Sequence, residues 1–317
     1  MPSWMIKAAV QRAVSLLPSP HFWNGIIQKC VTRSVGLDDR LFLDKLGRAR
    51  GHLANYQAGS SGPAMPARVV EIGTGWFPVV PIAIWLCGAE EVETYDLVRH
   101  ATEARIAATV GHFLAAWDDG RLVQALPHAD RDRVARLERM VRGAAPGGFA
   151  EGLTNLGIRY TVAPLQADAS ARRADLVFST AVLEYLPYSA LVALLQASRA
   201  RLSPGGVASH WIDLSDEYAY FDKSITPFNF LRFSDRAWRL INNPIIPLSR
   251  LRLGDYRHAF AQAGFAKCAF EPALGSAEDL ACVPIAPAFR GRPDEDLLAL
   301  SVWVRAWAAP APLNHAG

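Results

Sequence analysis

The sequence predicts an α/β protein built on an open, mostly parallel sheet, and two observations carry this prediction. The β-branched run Val69-Val70-Glu71-Ile72 is typical of a buried strand, and Gly73 and Gly75 after it predict a tight turn where the backbone approaches a ligand. A second short strand ends at Asp96, whose carboxylate can accept both hydroxyls of a ribose. Together these features predict a nucleoside-binding half-site at the carboxyl edge of the sheet.

The helix after the glycine turn is expected over residues 79–87, which form an apolar run. A dinucleotide fingerprint would place its third glycine at position 78, where this chain has Pro78. Proline suits the first turn of a helix, because the amide that it lacks would be unpaired there. Pro78 is therefore compatible with a helix that begins here, but the chain lacks the third glycine of a pyrophosphate-binding fingerprint. A βα turn without any ligand stays the alternative.

The remaining elements alternate as a doubly wound sheet requires. Further strands are predicted at 158–162, 175–179, 207–212, 266–273 and 297–307, and helices at 188–202 and 253–263. In type, order and spacing, these motifs resemble those of the class I S-adenosylmethionine-dependent methyltransferases. The resemblance covers residues 68–212 well and the later strands loosely. It implies a seven-stranded, Rossmann-like, mostly parallel sheet with an antiparallel edge hairpin, and S-adenosyl-L-methionine as the cofactor.

The same resemblance implies roles for individual side chains at the carboxyl edge. The amino-acid end of the cofactor would meet Glu71, Gly73, Thr74 and Gly75, its ribose Asp96, its adenine Leu97, Asp168 and Ala169, and its sulfonium Ser179, Thr180 and Ala181, with Glu184 following. Two of these residues have simpler interpretations. Asp168 can cap a turn, and Glu184 can be an exposed residue of a helix face.

A catalytic base is expected at the end of the fifth strand, in the segment 210–216. Side chains alternate along a strand, so His210 and Asp213 point to opposite faces. We favour Asp213 as the base, because it lies further toward the carboxyl end of the strand. His210 is the second candidate, and its alternative interpretation is a histidine buried in the core without a catalytic role. A metal on Asp213 and Asp216 is disfavoured, since no third ligand follows the pattern.

Three regions surround the predicted core. Residues 1–60 form a helical extension, with helices expected in the first twenty residues, at 22–35 and at 38–56; residues 67–307 form the methyltransferase-like domain; and the tail 308–317 is expected to be disordered. Helical insertions are predicted at about 101–157 and 214–250. The second is rich in aromatic residues, which suit either an acceptor-side lid or a plain packing layer.

Composition narrows the function further. The net charge of +3 over 317 residues, with no basic stripe interleaved with aromatics, disfavours nucleic acid as a partner. The four cysteines lie far apart, which favours a reduced, cytoplasmic protein. The first helix carries Trp4, Lys7 and Arg12, so contact with a membrane surface is a minor alternative to packing on the core.

We therefore expect an enzyme that transfers a methyl group to a small molecule or a saccharide, with oxygen favoured as the acceptor atom. Two alternatives stay open: a nicotinamide-dependent oxidoreductase on a similar sheet, and a non-catalytic protein that keeps the fold for binding. The sequence leaves the acceptor and the oligomeric state open.

Overall fold

The computed structural model describes residues 3–15, 36–143, 148–167, 172–243 and 247–307. Within these residues the strands are β1 (Arg68–Ile72), β2 (Glu91–Asp96), β3 (Ile158–Val162), β4 (Ala174–Thr180), β5 (Leu202–Asp213), β6 (Lys267–Leu274) and β7 (Ala299–Trp307). The helices are α1 (Ser3–Ser15), α2 (Asp39–Gly59), α3 (Val79–Leu86), α4 (Glu103–Asp118), α5 (Arg121–Ala125), α6 (Arg131–Gly143), α7 (Phe149–Asn155), α8 (Tyr188–Arg201), α9 (Glu217–Phe221), α10 (Asp235–Ile241), α11 (Leu253–Gln262), α12 (Ala277–Ala281) and α13 (Asp294–Leu298).

The seven strands form one sheet in the order β3-β2-β1-β4-β5-β7-β6. The first five in this order run parallel, and β7 pairs antiparallel with both β5 and β6. The predicted fold class, a mostly parallel seven-stranded sheet with an antiparallel edge pair, is therefore confirmed. The order reverses between β1 and β4, and in open α/β sheets the ligand-binding crevice is expected at the carboxyl ends of such a pair of strands.

Helices cover both faces of the sheet, and the strand residues alternate between two apolar layers. One layer joins α2, α3 and α4 to the face that carries Val69, Leu176 and Phe178. The other joins α8 and α11 to the face that carries Val70 and Val177. The proline-started helix α3 is buried along its whole length, which explains why its sequence shows no polar face.

A third apolar layer lies apart from these two. It is built from α1 and the insertion after β5, and its buried members include Trp4, Phe228, Phe230, Leu231 and Trp238. Most aromatic residues of the insertion are thus packed against each other. Tyr220 and Phe221 are the exceptions in this segment, because 63% and 45% of their surfaces stay exposed.

The predicted element bounds agree with the structure to within a few residues, with one larger difference. Strand β5 begins at Leu202, earlier than the predicted 207, because Ala174 of β4 pairs with Leu202 across a register shift. The predicted helix at 22–35, the tail 308–317 and the site residues Asp168 and Ala169 lie outside the described residues.

Candidate active site

The turn after β1 has the backbone geometry that its glycines were expected to supply. Gly73 has φ +80° and Gly75 has φ +66°, a region that other residues rarely adopt. A Cβ at position 73 would overlap the side chain of Val182, whereas one at position 75 would meet no atom within 4 Å. The turn is therefore packed against the β4 loop at Gly73 and open at Gly75, which leaves room for a ligand.

Asp96 faces this opening from the end of β2. Its Oδ2 accepts a hydrogen bond from the backbone amide of Gly75 at 2.9 Å, and Oδ1 accepts one from Val98 at 3.4 Å. Leu97 next to it is 70% exposed. An acid, an exposed apolar side chain and an open glycine turn thus adjoin at one point of the sheet edge.

Glu71 lies beneath the turn and is 2% exposed. The hydroxyl of Thr94 donates to its Oε2 at 2.6 Å, and the Thr94 and Thr74 hydroxyls are themselves hydrogen-bonded. Burial raises the pKa of Glu71 to about 8, although the Thr94 hydrogen bond and the Lys45 charge oppose the shift. Glu71 and Thr74 therefore brace the turn from below.

Near the end of β4 lies a buried polar residue that the sequence prediction missed. His52 of α2 is fully buried, and its two ring nitrogens lie 2.8 Å from Ser209 Oγ and 3.0 Å from Thr180 Oγ1. Burial lowers the pKa of His52 well below its usual value, so the ring is neutral. The signal in the sequence was its spacing with the buried Ala49 and Tyr56 on one face of α2.

The backbone next to Thr180 is unusual as well. Ala181 has φ +53°, and its amide donates to the Trp211 carbonyl oxygen at 3.0 Å. A non-glycine residue in this conformation costs about 1–2 kcal/mol. Such strain is typical of functional sites. Thr180 and Ala181 therefore lie where β4 turns into the crevice.

Ser179 and His210 lie elsewhere, on the opposite face of the sheet. Both are fully buried, and Ser179 Oγ is 2.7 Å from His210 Nδ1. The His210 ring packs edge-on against Phe260 of α11, and burial lowers its pKa to about 3. The geometry of His210 is that of a core histidine, and it does not bring Ser179 to the crevice.

Asp213 belongs to a group of acids beyond the ends of β4 and β5. We call Glu184, Asp213 and Glu217 the acidic cluster; Tyr220 donates to Asp213 at 2.8 Å, and Tyr185 donates to Glu217. Burial, with Asp213 contributing, raises the pKa of Glu217 to about 7.

Glu184 is the most buried member of the acidic cluster, at 2% exposure. Among the residues that the structure describes, no side chain donates a hydrogen bond to its carboxylate. Burial raises its pKa well above the ordinary value, and the charges of Asp213 and Glu217 add to the shift. The structure thus places Glu184 beside the predicted base and away from a solvated helix face.

Helix α1 closes this end of the molecule. A cavity of about 20 Å³ lies beneath it, lined by Lys7, Gln11, Asp216, Glu217, Tyr218, Trp238, Asn242 and Leu248. Such a volume holds about one water molecule. Lys7 opposes the rise in the Glu217 pKa, so a cation of α1 reaches the edge of the acidic cluster.

Two absences hold for the part of the chain that the structure describes. No group of three or more His, Cys, Asp or Glu side chains there is arranged to hold a metal ion. In the same residues, no helix combines the length and the apolar character needed to cross a bilayer.

Comparisons with known proteins give fold-level likeness only. The sequence matches no family model, and a search of curated proteins gives no match. Among solved structures, the CurJ carbon methyltransferase is 16% identical at a TM-score of 0.39, over 80% of this chain and 54% of that one. This chain therefore spans about half the length of that match.

Two further structures are similar over most of their own length. The plantazolicin methyltransferase BpumL, solved in complex with SAH, is 12% identical over 96% of this chain and 98% of that one, with a TM-score of 0.46. The CcbJ methyltransferase from Streptomyces caelestis is 14% identical over 83% and 96%, with a TM-score of 0.42. At these values the fold assignment rests on the strand order of the sheet.

Proposed function

We propose that this chain is an S-adenosyl-L-methionine-dependent methyltransferase that acts on a small molecule or a saccharide. One observation carries the proposal: the Gly75 amide and the Asp96 carboxylate lie 2.9 Å apart at an open turn, at the carboxyl edge of β1 and β2. When a nucleoside binds there, its ribose hydroxyls can replace the Gly75 amide as partners of Asp96. The space above Gly75 takes the part of the ligand that must approach the backbone.

The order of the sheet separates this proposal from its main alternative. A dinucleotide-binding sheet has the strand order 3-2-1-4-5-6. In this chain β7 is inserted antiparallel between β5 and β6, and Pro78 stands where the fingerprint requires its third glycine. Both features favour the methyltransferase over a nicotinamide-dependent oxidoreductase.

The residues present fit the proposed cofactor. We assign its amino-acid end to the turn at Gly73, Thr74 and Gly75 braced by Glu71, and its ribose to Asp96, with exposed Leu97 against the adenine. Asp168 and Ala169 keep their proposed place at the adenine. The bound cofactor supplies an electrophilic methyl group on a sulfonium.

The chain's own contribution is to position an acceptor and to exclude water. Holding two reactants in line supplies much of the rate of such a transfer. Thr180 and Ala181 would stand beside the sulfonium, because they end β4 at the crevice. An apolar surrounding favours the transfer, since the sulfonium charge is lost as the new bond forms.

For a hydroxyl acceptor we propose Asp213 as the proton acceptor. It lies at the end of β5, keeps part of its surface exposed, and is held by Tyr220 and Ser215. His210 is the weaker candidate, because its ring is enclosed in the core. Glu217 beside Asp213, whose pKa burial raises to about 7, would share the proton that Asp213 receives.

Ligand binding tests the proposal directly. Isothermal titration calorimetry should show binding of S-adenosylhomocysteine to the purified chain and no binding of NAD. Binding of NAD without binding of S-adenosylhomocysteine would instead support the nicotinamide-dependent oxidoreductase. Binding of S-adenosylhomocysteine without turnover of S-adenosylmethionine on a broad acceptor panel would favour the non-catalytic alternative.

Once an acceptor is known, the assignment of the base can be tested by comparing Asp213→Asn with His210→Gln. Loss of a general base lowers turnover by about 10²–10⁴. We expect such a loss for Asp213→Asn, with S-adenosylhomocysteine affinity kept. A normal rate in Asp213→Asn with a reduced rate in His210→Gln would make His210 the proton acceptor. Normal rates in both variants would show that neither residue is the base.

A further inference from the structure

Helix α1 is held to the molecule by one of its faces. Trp4 is 3% exposed and packs against the rings of Tyr218 and Phe233. The start of the helix is fixed by Asp222, which accepts from the Ser3 hydroxyl at 2.7 Å and from the Trp4 amide at 3.0 Å. These contacts fix which side of α1 faces outward.

The outward side of α1 is apolar. Its exposed members are Met5, Ile6, Ala9, Val10 and Ala13, which we call the outer arc. Met5, Ile6 and Val10 are 39%, 52% and 40% exposed. On an α-helix these positions share one side, opposite the buried Trp4 and Ala8. A surface helix normally shows the reverse pattern, with its polar face toward water.

The charges around the outer arc are positive. Helix α1 has no acidic residue, and its two cations are engaged within the protein, Lys7 with Glu217 and Arg12 with the Asn242 carbonyl oxygen at 3.5 Å. The neighbouring helix α10 exposes Arg236 and Arg239 together with Leu240, which is 75% exposed. The acid on that helix, Asp235, is paired with Arg250 at 2.6 Å.

We propose that the outer arc of α1 docks on an anionic lipid surface. A helix of 13 residues is about 20 Å long, enough to lie in the interface and too short to cross the roughly 30 Å of hydrocarbon. An apolar helix face beside exposed basic residues, here Arg236 and Arg239 of α10, is the pattern of interfacial helices. A second copy fits less well, because a two-fold pairing of α1 would bring like charges together.

The acceptor end of the sheet lies beneath the docked helix, since Lys7 reaches Glu217 from α1. The proposal does not depend on the proposed methyl transfer. It predicts binding to a membrane whether or not the crevice holds S-adenosylmethionine.

Co-sedimentation with vesicles tests the docking. We expect the full chain to bind vesicles of phosphatidylcholine with phosphatidylglycerol, to bind pure phosphatidylcholine vesicles far less, and to be released by salt. The double variant Ile6→Ser and Val10→Ser should bind about tenfold more weakly, because two apolar side chains no longer leave water. The matched control is Leu41→Ser with Leu43→Ser, two leucines of α2 that are 37% and 36% exposed, which should bind like the wild type.

Three results would overturn the docking proposal. They are no binding to either vesicle, equal binding to both, and equal loss in the α1 and α2 variants. Sedimentation velocity tests whether a second copy of this chain, and not a membrane, binds the outer arc. A dimer that the Ile6→Ser and Val10→Ser variant abolishes, without vesicle binding by the wild type, would assign the outer arc to a second copy. Unchanged circular dichroism of both variants is the required control.

Discussion

Glu71 is a carboxyl group that the fold keeps from water beneath the glycine turn. Its pKa is raised to about 8 by burial, above the value of about 4.3 that an unfolded chain gives it. Between these values the folded protein holds a proton that the unfolded chain releases. The contribution of Glu71 to stability is therefore largest at low pH and is lost as the pH rises toward 8.

The variant Glu71→Gln should remove this dependence, because an amide does not titrate. Its free energy of unfolding relative to the wild type should rise with pH, by at most about 1.4 kcal/mol per pH unit between about pH 5 and pH 8. Urea unfolding across that range measures the difference. The exposed Glu151→Gln is the control and should keep the wild-type slope. Parallel profiles for Glu71→Gln and the wild type would refute the assignment.

Asp96 gives the residue-scale test of the cofactor site. The variant Asp96→Ala removes charge-assisted hydrogen bonds worth about 1.5–3 kcal/mol each, so S-adenosylhomocysteine should bind at least tenfold more weakly. Calorimetry measures the change, and the exposed Asp132→Ala serves as the control. An unchanged dissociation constant would place the ribose elsewhere.

At the scale of an element, the glycine turn separates backbone strain from steric overlap. Gly73→Ala should unfold the protein more easily than Gly75→Ala, since its Cβ overlaps Val182 while position 75 is open. Gly120→Ala has a similar φ of +82° in open space and reports strain alone, about 1–2 kcal/mol. In thermal unfolding, Gly73→Ala should lower the melting temperature more than Gly75→Ala or Gly120→Ala. If all three variants lose equal stability, the close contact with Val182 is unimportant.

The sequence predicted those elements whose pattern is local. The β-branched run of β1, the glycines after it and Asp96 at the end of β2 have direct physical meanings, and the structure has the strands where they predict them. The sheet order was available only through the resemblance, because strand pairing between β5 and β7 depends on contacts distant in sequence.

The parts of the site that sequence reasoning missed are those that tertiary contacts create. The local sequence identifies His52 only as a residue of a helix. Its contacts with Thr180 and Ser209 form when α2 packs on the sheet. Glu184 was predicted at the cofactor, with an exposed helix face as the alternative; it is buried beside Asp213 and Glu217, which excludes the exposed face and leaves the cofactor contact a prediction. The burial of Glu184 has no periodic signal in so short a segment, and that of His52 is indicated only by its spacing with Ala49 and Tyr56.

At the scale of the whole molecule, one buried arginine joins the second insertion to the sheet. Arg252 at the start of α11 is fully buried and donates to the carbonyl oxygens of Leu214, Asp296, Leu297 and Ala299. These oxygens belong to the end of β5, to α13 and to the start of β7. One side chain therefore satisfies the backbone where three elements meet.

Replacing this guanidinium should be costly. We expect Arg252→Met to lower the free energy of unfolding by at least about 4 kcal/mol, because four buried carbonyl oxygens lose their donor at a cost of about 1–3 kcal/mol each. The control on the same helix is Arg257→Met, whose exposed pair with Glu295 is worth about 0–1 kcal/mol. Chemical denaturation compares the two variants. Equal losses would mean that the four carbonyl oxygens find other donors.

The antiparallel insertion of β7 also fixes the order in which this sheet can be completed. Strand β5 extends over 12 residues, and its outer edge pairs with β7, which begins far along the chain at Ala299. Until Ala299–Trp307 arrives, the edges of β5 and β6 both expose unpaired amides and carbonyl oxygens, which recruit other chains. A ribosome-bound or truncated form that lacks this last strand is thus the aggregation-prone species, and β7 acts as the closing strand of folding.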